Sequence, residues 1–169
     1  MTLPFYIRPA CLDDFAAMTP MWRQLDAFHH KQDPVRFPKR CTRAPRDLSY
    51  VSELIERPDR ALLVAQTSPL HEDEEACLMG LCTIQMRSFT AGPVFPARVV
   101  FEIDNLVVDE AKRRRGVARS LIRESEAWSR AHGAGEVILN VYDFNNQART
   151  FYEQIGFLSS KTQMVRALY

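Results

Sequence analysis

The chain has 169 residues, of which 46% are hydrophobic and 25% are charged, and its formal net charge is +1. This length suits one domain over residues 1–169, and the balanced charge gives no indication of a nucleic-acid or membrane partner. No apolar run approaches the ~20 residues that cross a bilayer, and Met1 to Arg8 lacks the layout of a secretory signal, so a cytoplasmic protein is expected. The cysteines form no ligand cluster, which predicts reduced packing residues and no metal site; they are Cys11, Cys41, Cys77 and Cys82.

In the first half of the chain, continuous apolar runs alternate with segments in which apolar residues recur at helical spacing. Apolar runs bounded by turn residues predict strands, and apolar residues three and four apart predict amphipathic helices. Pro20 is expected to break the first helix in two, because proline lacks the amide that a helix interior uses. The elements predicted here are a strand at Phe5 to Arg8, a helical region from Leu12 to Phe28, a helix at Asp47 to Ile55, and hairpin strands at Ala61 to Gln66 and Ala76 to Met86, separated by the acidic turn His71 to Glu75.

The second half contains the longest predicted strand and the clearest amphipathic helix. The helix has one apolar face, and Gly133 is expected to end it. The whole chain therefore predicts the order β-α-α-β-β-β-α-β-α-β-β, a mixed α/β sheet. The elements predicted here are a strand at Val99 to Val108, a helix whose face includes Val117, Leu121 and Trp128, a strand at Val137 to Tyr142, a helix at Asn145 to Ile155, and terminal strands that open at Gly156-Phe157.

A basic loop connects that longest strand to the amphipathic helix. Its residues, Lys112 to Arg115, precede Gly116, which lacks a Cβ and lets the backbone approach a ligand closely. The first amides of a helix are unpaired and lie at the positive end of its dipole. The loop therefore predicts an anion site, most simply for a phosphate ester.

Two motifs in this order resemble the GNAT superfamily of acyl-CoA-dependent N-acetyltransferases. They are Arg113-x-x-Gly116-x-Ala118 and Asn145-x-x-Ala148-x-x-Phe151-Tyr152-Glu153-x-x-Gly156-Phe157. The resemblance implies a mostly antiparallel central sheet flanked by helices. It also implies acetyl-CoA as cosubstrate without a metal, an amine of a small molecule or peptide as acceptor, and a homodimer.

The resemblance implies a coenzyme site along the strand and the loop. The backbone amides of Arg114 to Ala118 would bind the pyrophosphate, and the strand at Leu106 to Val108 would offer its backbone to the pantetheine arm and to the oxyanion. Asn145 would contact the coenzyme, although it equally predicts a helix N-cap. The full set implied for the coenzyme is Leu106, Val107, Val108, Arg113, Arg114, Arg115, Gly116, Val117, Ala118, Arg119, Asn145 and Ala148.

The same resemblance makes Tyr152 the general acid that protonates the departing thiolate, against the alternative of a core aromatic. Glu102 and Asp104 lie two apart on a strand, so they are expected to share one face of the sheet. Two like charges there favour a base for the acceptor amine, with the alternatives of an exposed sheet face or a site that positions a cationic substrate. The segment Leu25-x-x-x-His29 followed by Pro34-x-x-Phe37 also resembles GNAT members near the acceptor site, which implies that His29 and Phe37 line that site together with Glu102, although histidines at a helix end are often solvent-exposed.

Three functions are compatible with these patterns. The first is direct transfer of acetyl from acetyl-CoA to a primary amine in a ternary complex. The second is a noncatalytic acyl-CoA sensor or interaction module on the same fold. The third, a nucleic-acid binder, is disfavoured because the chain has one basic run and no interleaved aromatic residues beside it.

Overall fold

A computed structural model of the chain describes residues 4–39, 46–69, 75–166 and 168. Its five strands form one sheet, and helices cover both faces. The strands are β1 (Phe5–Pro9), β2 (Arg60–Thr67), β3 (Leu78–Phe89), β4 (Arg98–Val108) and β5 (Glu136–Leu139). The helices are α1 (Phe15–Gln32), α2 (Leu48–Glu56), α3 (Val117–Ala131) and α4 (Asn146–Gln154), with single 3-10 turns at Leu12–Asp14 and Glu110–Lys112.

The strands lie in the sheet in chain order. β1 to β4 pair antiparallel, and only β5 pairs parallel, with β4. The predicted mixed, mostly antiparallel sheet is therefore confirmed. In the described part of the chain, no helix combines the length and the hydrophobicity that a membrane span requires.

The core is divided by the sheet into two hydrophobic clusters. On one face, Met18 and Trp22 of α1 pack with Val51 of α2 against the strands. On the other face, Leu121 of α3 packs against Phe101 of β4, with partly buried residues of α4 at the edge. Each helix thus covers the sheet with the apolar face that its residue spacing predicts.

Pro20 does not break the first helix, so that prediction was wrong. α1 is continuous through Pro20, whose ring is exposed. The missing amide therefore costs a hydrogen bond on the solvent side, while the buried residues Met18, Met21 and Trp22 hold the helix on the sheet. The packing of that buried face outweighs the local preference against helix.

The predicted terminal strands are absent from the described residues after α4. Between Gly156 and Arg166 the chain has no strand; Phe157 is partly buried against Tyr152, and the apolar side chains after it are exposed. Leu158 and Met164 retain about nine-tenths of their accessible surface, so no buried face holds this segment against the sheet. The predicted turn at residues 71–74 and Cys41 lie outside the described residues.

The other cysteines are free but differ in burial. Cys82 is buried, lies 3.3 Å from the hydroxyl of Ser125, and packs between β3 and α3. Burial raises the pKa of the Cys82 thiol to about 12. Cys11 and Cys77 are exposed, so the prediction of a packing role was wrong for them.

A bulge in β4 lies where the pairing of β4 with β5 ends. Ile103 pairs with Ile84 of β3 and Asn105 pairs with Thr83, which leaves Asp104 as an extra residue. The parallel pairing with β5 also ends at Ile103. The chain therefore leaves the sheet earlier than predicted, and Tyr142 lies beyond the strand. Residues at this point, Asp104 and Asn105 of β4 and Asn140 after β5, line the cavity described below.

Candidate active site

The start of α3 exposes a row of backbone donors. Gly116 is the N-cap residue, with a left-handed φ of 84°, and no side chain caps the helix. Among the described residues, no acceptor lies within hydrogen-bond distance of the amides of Val117, Ala118 and Arg119. Arg114 also has a positive φ of 63°, which costs an arginine more than a glycine. The helix start thus has unpaired backbone donors and no side-chain cap among the described residues.

The arginines of this loop differ in their contacts. Arg113 bends back, and its Nε donates to the carbonyl oxygen of Val108 at 3.2 Å. The guanidinium groups of Arg114, Arg115 and Arg119 make no hydrogen bond or ion pair within the described part of the chain. These three side chains have donors available to a phosphate, whereas Arg113 holds the end of β4.

A cavity of about 1200 Å³ lies between α1, the middle of β4, the segment after β5, and α4. The predicted site residues in its wall are His29, Phe37, Asp104, Leu106, Asn145, Ala148 and Tyr152. Glu102, Val107, Val108 and the loop residues Arg113 to Arg119 are not in this wall. The sequence interpretation missed several lining residues, among them Trp22, Asp26, Arg46, Asn105, Asn140 and Tyr142. No spacing along the chain relates them, because they come from four separate segments.

Tyr152 lies on the α4 side of this cavity. Its ring packs edge-on against Phe157, with ring centres 5.7 Å apart, and tilted against Phe151. The hydroxyl has no hydrogen-bond partner among the described residues. Burial raises the pKa of Tyr152 well above its usual range, and the neighbouring Cys82 adds to this shift. The phenol therefore stays protonated at neutral pH.

The two carboxylates of β4 have different surroundings. Glu102 accepts hydrogen bonds from Arg87 at 2.6 Å and from Asn140 at 2.7 Å, and it lies outside the cavity wall. Asp104, the bulged residue, is exposed in the wall and accepts a hydrogen bond from Asn105 at 2.6 Å. Among the described residues the two carboxylates therefore share no hydrogen-bond partner.

Asn145 is the N-cap residue of α4. Its side-chain oxygen accepts a hydrogen bond from the amide of Ala148 at 3.2 Å. Both residues line the cavity. The N-cap interpretation is confirmed, and the side-chain amide nitrogen of Asn145 has no partner in the described residues.

A polar cluster joins α1 to β4 at the cavity wall. Nη1 of Arg46 lies 2.9 Å from both carboxylate oxygens of Asp26, and Nη2 donates to Asn105 at 3.1 Å. The guanidinium lies over the ring of Trp22, 5.8 Å from its centre. Trp22 is buried, and its Nε1 has no hydrogen-bond partner in the described part of the chain.

Aromatic rings from two distant segments meet at the cavity. His29 stacks on Phe37 with ring centres 4.9 Å apart, and Tyr142 stacks on Phe144 at 5.2 Å. Burial lowers the pKa of His29, and the positive charge of Arg46 lowers it further against the opposite effect of Asp26. His29 is therefore mainly neutral at neutral pH. Among the described residues, no group of His, Cys, Asp or Glu side chains could hold a metal ion.

The family comparison agrees with this geometry. The model of the "Acetyltransferase (GNAT) family" matches residues 22–157, which include the loop before α3, the bulge of β4 and Tyr152. The chain belongs to the GNAT acetyltransferase family. The matched region spans about four-fifths of this GNAT chain. The resemblance seen in the two sequence motifs is therefore confirmed.

Solved structures share the GNAT fold over nearly the whole chain. A mutant of the BH1408 protein from Bacillus halodurans has a TM-score of 0.84 at 24% identity, over 97% of this chain and 99% of that one. An acetyltransferase from Trypanosoma brucei has a TM-score of 0.66 at 20% identity, over 97% and 99%. The aminoglycoside N-acetyltransferase AAC(6')-Iy, in complex with CoA, has a TM-score of 0.73 at 15% identity, over 99% and 97%. No curated protein matches the chain.

Proposed function

We propose that residues 1–169 form a single domain that transfers acetyl from acetyl-CoA to a primary amine. The observation that carries this proposal is the start of α3, where unpaired amides follow Gly116 beside unpartnered arginines. The cavity at the β4 bulge adds space for an acceptor. A homodimer and a cytoplasmic location remain predictions.

The donor groups of the loop suit coenzyme A. A pyrophosphate needs several N–H donors at close range, and the amides of Val117, Ala118 and Arg119 supply them. Arg114, Arg115 and Arg119 would add charge-assisted hydrogen bonds to phosphate oxygens. The backbone of Leu106 to Val108 would hold the pantetheine arm and stabilise the oxyanion. Asn145 and Ala148 would complete the wall on the α4 side.

The side chains in the cavity supply the proton transfers. The thioester of acetyl-CoA provides the acyl group for direct attack by the amine. Tyr152 holds its proton at neutral pH and would donate it to the departing thiolate. Asp104 would accept the proton of the acceptor ammonium, either directly or through water. Glu102 would act through Asn140, whose side chain it holds at the cavity wall.

Titration calorimetry with acetyl-CoA tests the coenzyme site. Gly116→Glu places bulk and negative charge at the anion site, and we expect roughly a hundredfold weaker binding. Gly116→Ala is the matched control, because it shares the strain of a positive φ while its Cβ would meet no atom within 4 Å. The proposal would be overturned if the wild-type protein showed no heat of binding and no rise in Tm at excess acetyl-CoA.

Turnover separates an enzyme from a noncatalytic sensor. We expect coenzyme A thiol release that depends on a primary amine, with the N-acetylated amine identified by mass spectrometry. A sensor would bind acetyl-CoA with the same loop and release no thiol with any amine. A nucleic-acid binder would instead show salt-dependent binding to DNA or RNA that acetyl-CoA does not affect.

A further inference from the structure

The aromatic residues at the cavity form a corner with two walls. One wall is the stacked pair of His29 and Phe37, whose planes differ by 26°. The other wall is the stacked pair of Tyr142 and Phe144, whose planes differ by 2°. Phe37 meets both rings of the second wall at nearly right angles, 88° and 89°. We refer to these four residues as the aromatic corner.

The aromatic corner is held in place before any acceptor binds. Nδ1 of His30 lies 2.7 Å from the carbonyl oxygen of Phe37, and the amide of Phe37 donates to the carbonyl of Asp33. These bonds tie the segment after α1 to the helix that carries His29. The guanidinium of Arg36 lies over the Tyr142 ring, 5.6 Å from its centre. A guest would therefore meet rings that are already ordered, which reduces the entropy lost on binding.

Two walls at right angles suit a flat aromatic guest. Aromatic pairs prefer offset stacking or edge-to-face contact, and a ring stacked on the first wall would meet the second wall edge-on. Three of the corner residues line the cavity directly, namely His29, Phe37 and Tyr142. Asp104 and Tyr152 line the same cavity, so the corner and the proposed catalytic groups face one common space.

The charges of the cavity disfavour an acceptor with several positive charges. Its described lining includes four cationic side chains and two carboxylates; Arg46 is paired with Asp26, and Arg36 lies 3.7 Å from Asp33, which is outside the wall. Asp104 is the remaining carboxylate, enough for one ammonium group. These charged residues are Arg23, Arg36, Lys39, Arg46, Asp26 and Asp104. A polyamine or an aminoglycoside would place its further ammonium groups near arginines.

We propose that the aromatic corner selects an acceptor with one primary amine on a flat aromatic body and no further positive charge. This inference rests on the acetyltransferase function proposed above. It assigns specificity to rings from α1, the segment after α1 and the segment after β5. Aliphatic monoamines cannot make ring contacts with the aromatic corner, and polycations are repelled by the cationic side chains of the cavity.

Steady-state kinetics on the full chain test this specificity with four probes. Tryptamine and phenylethylamine are the aromatic monoamines, butylamine is the aliphatic monoamine, and kanamycin is the polycation. We expect kcat/KM for the aromatic monoamines to exceed the values for butylamine and kanamycin by about tenfold or more, because two ring contacts are gained. Calorimetry with tryptamine on the protein saturated with coenzyme A measures binding without turnover.

Variants of the corner link the preference to its rings. Phe37→Ala and Tyr142→Ala should each lower the ratio of kcat/KM for tryptamine to kcat/KM for butylamine by about fivefold or more. Their Kd for acetyl-CoA should stay within about twofold, which also shows that the variants fold. Tyr6→Ala is the matched control, because Tyr6 is an exposed aromatic on β1 outside the cavity wall. We expect Tyr6→Ala to leave kcat/KM unchanged for every probe.

The outcomes distinguish this inference from the function on which it rests. Equal kcat/KM for tryptamine and butylamine, or a preference for kanamycin, would overturn the inference and leave the acetyltransferase function standing. No turnover of either aromatic monoamine by protein that binds acetyl-CoA would also overturn it. A wild type that does not bind acetyl-CoA would overturn the proposed function, and the inference with it.

Discussion

Gly80 of β3 lies so close to the carbonyl oxygen of Val107 in β4 that a Cβ at position 80 would be 2.7 Å from it. The same Cβ would be 3.1 Å from Cγ1 of Val117, the first residue of α3. The absence of a side chain at Gly80 thus sets how closely α3 approaches the sheet. The strand proposed for pantetheine and the helix start proposed for pyrophosphate meet at this contact.

Gly80→Ala should therefore weaken both stability and coenzyme binding. Neither the β4 backbone nor the start of α3 can give way cheaply, so we expect a loss of about 1–3 kcal/mol in the free energy of unfolding. A shifted α3 should also raise the Kd for acetyl-CoA. Urea unfolding and calorimetry measure the two effects. Gly92→Ala is the control, since its Cβ would meet no atom within 4 Å; equal behaviour of both variants would contradict the packing argument.

Tyr152→Phe should lower kcat by about 10²–10⁴-fold and leave the Kd for acetyl-CoA nearly unchanged, because only the phenolic proton is removed. Since burial raises the pKa of Tyr152, the wild-type rate should not fall as pH rises toward the usual tyrosine value of about 10. A pH profile of kcat checks both statements. Tyr6→Phe serves as control, and a Tyr152→Phe enzyme with wild-type kcat would exclude the general-acid role.

Asp104→Asn should lower kcat/KM at neutral pH by about tenfold or more, because the ammonium of the acceptor loses its proton acceptor. The loss should shrink at alkaline pH, where more of the amine is already neutral. Glu102→Gln, on the same strand, should keep kcat/KM within about threefold and mainly lower Tm, since Arg87 loses its partner. The reverse pattern of kinetic effects would assign the base to Glu102.

We expect Asp14 to make the free energy of unfolding depend on pH in the acid range. Burial raises its pKa, but hydrogen bonds from Arg8 and from the Cys11 amide outweigh burial and hold the pKa below its ordinary 3.8. Its stabilisation is therefore complete above the unfolded value and is lost as pH falls through the lower, folded value. Asp14→Asn should cost about 1–3 kcal/mol at neutral pH.

Urea unfolding at several pH values measures this cost. The difference between wild type and Asp14→Asn should shrink as pH falls below 3.8. Asp13→Asn is the control, because the neighbouring Asp13 is exposed. A difference that stays constant from neutral to acid pH would show that the ion pair with Arg8 does not contribute in this way.

Features that depend on neighbours along the chain could be predicted from the sequence. The apolar face of α3, the glycine before it and the N-cap at Asn145 all appear where expected, because each arises from residues within one or two helical turns. The antiparallel hairpin of β2 and β3 is also local in this sense. The two motifs that resemble the GNAT family consist of such local features.

Tertiary structure alone decided which side chains face the cavity. The bulge at Asp104 depends on how β4 pairs with β3, so strict alternation along the strand could not separate Asp104 from Glu102. Pro20 lies inside α1 because buried packing of that helix outweighs its local preference. The aromatic corner joins residues over a hundred positions apart, and only the folded backbone brings them together. The sequence thus determined the loop proposed to bind the coenzyme, while tertiary packing determined the cavity proposed for the acceptor, because long-range pairing positions the residues of that cavity.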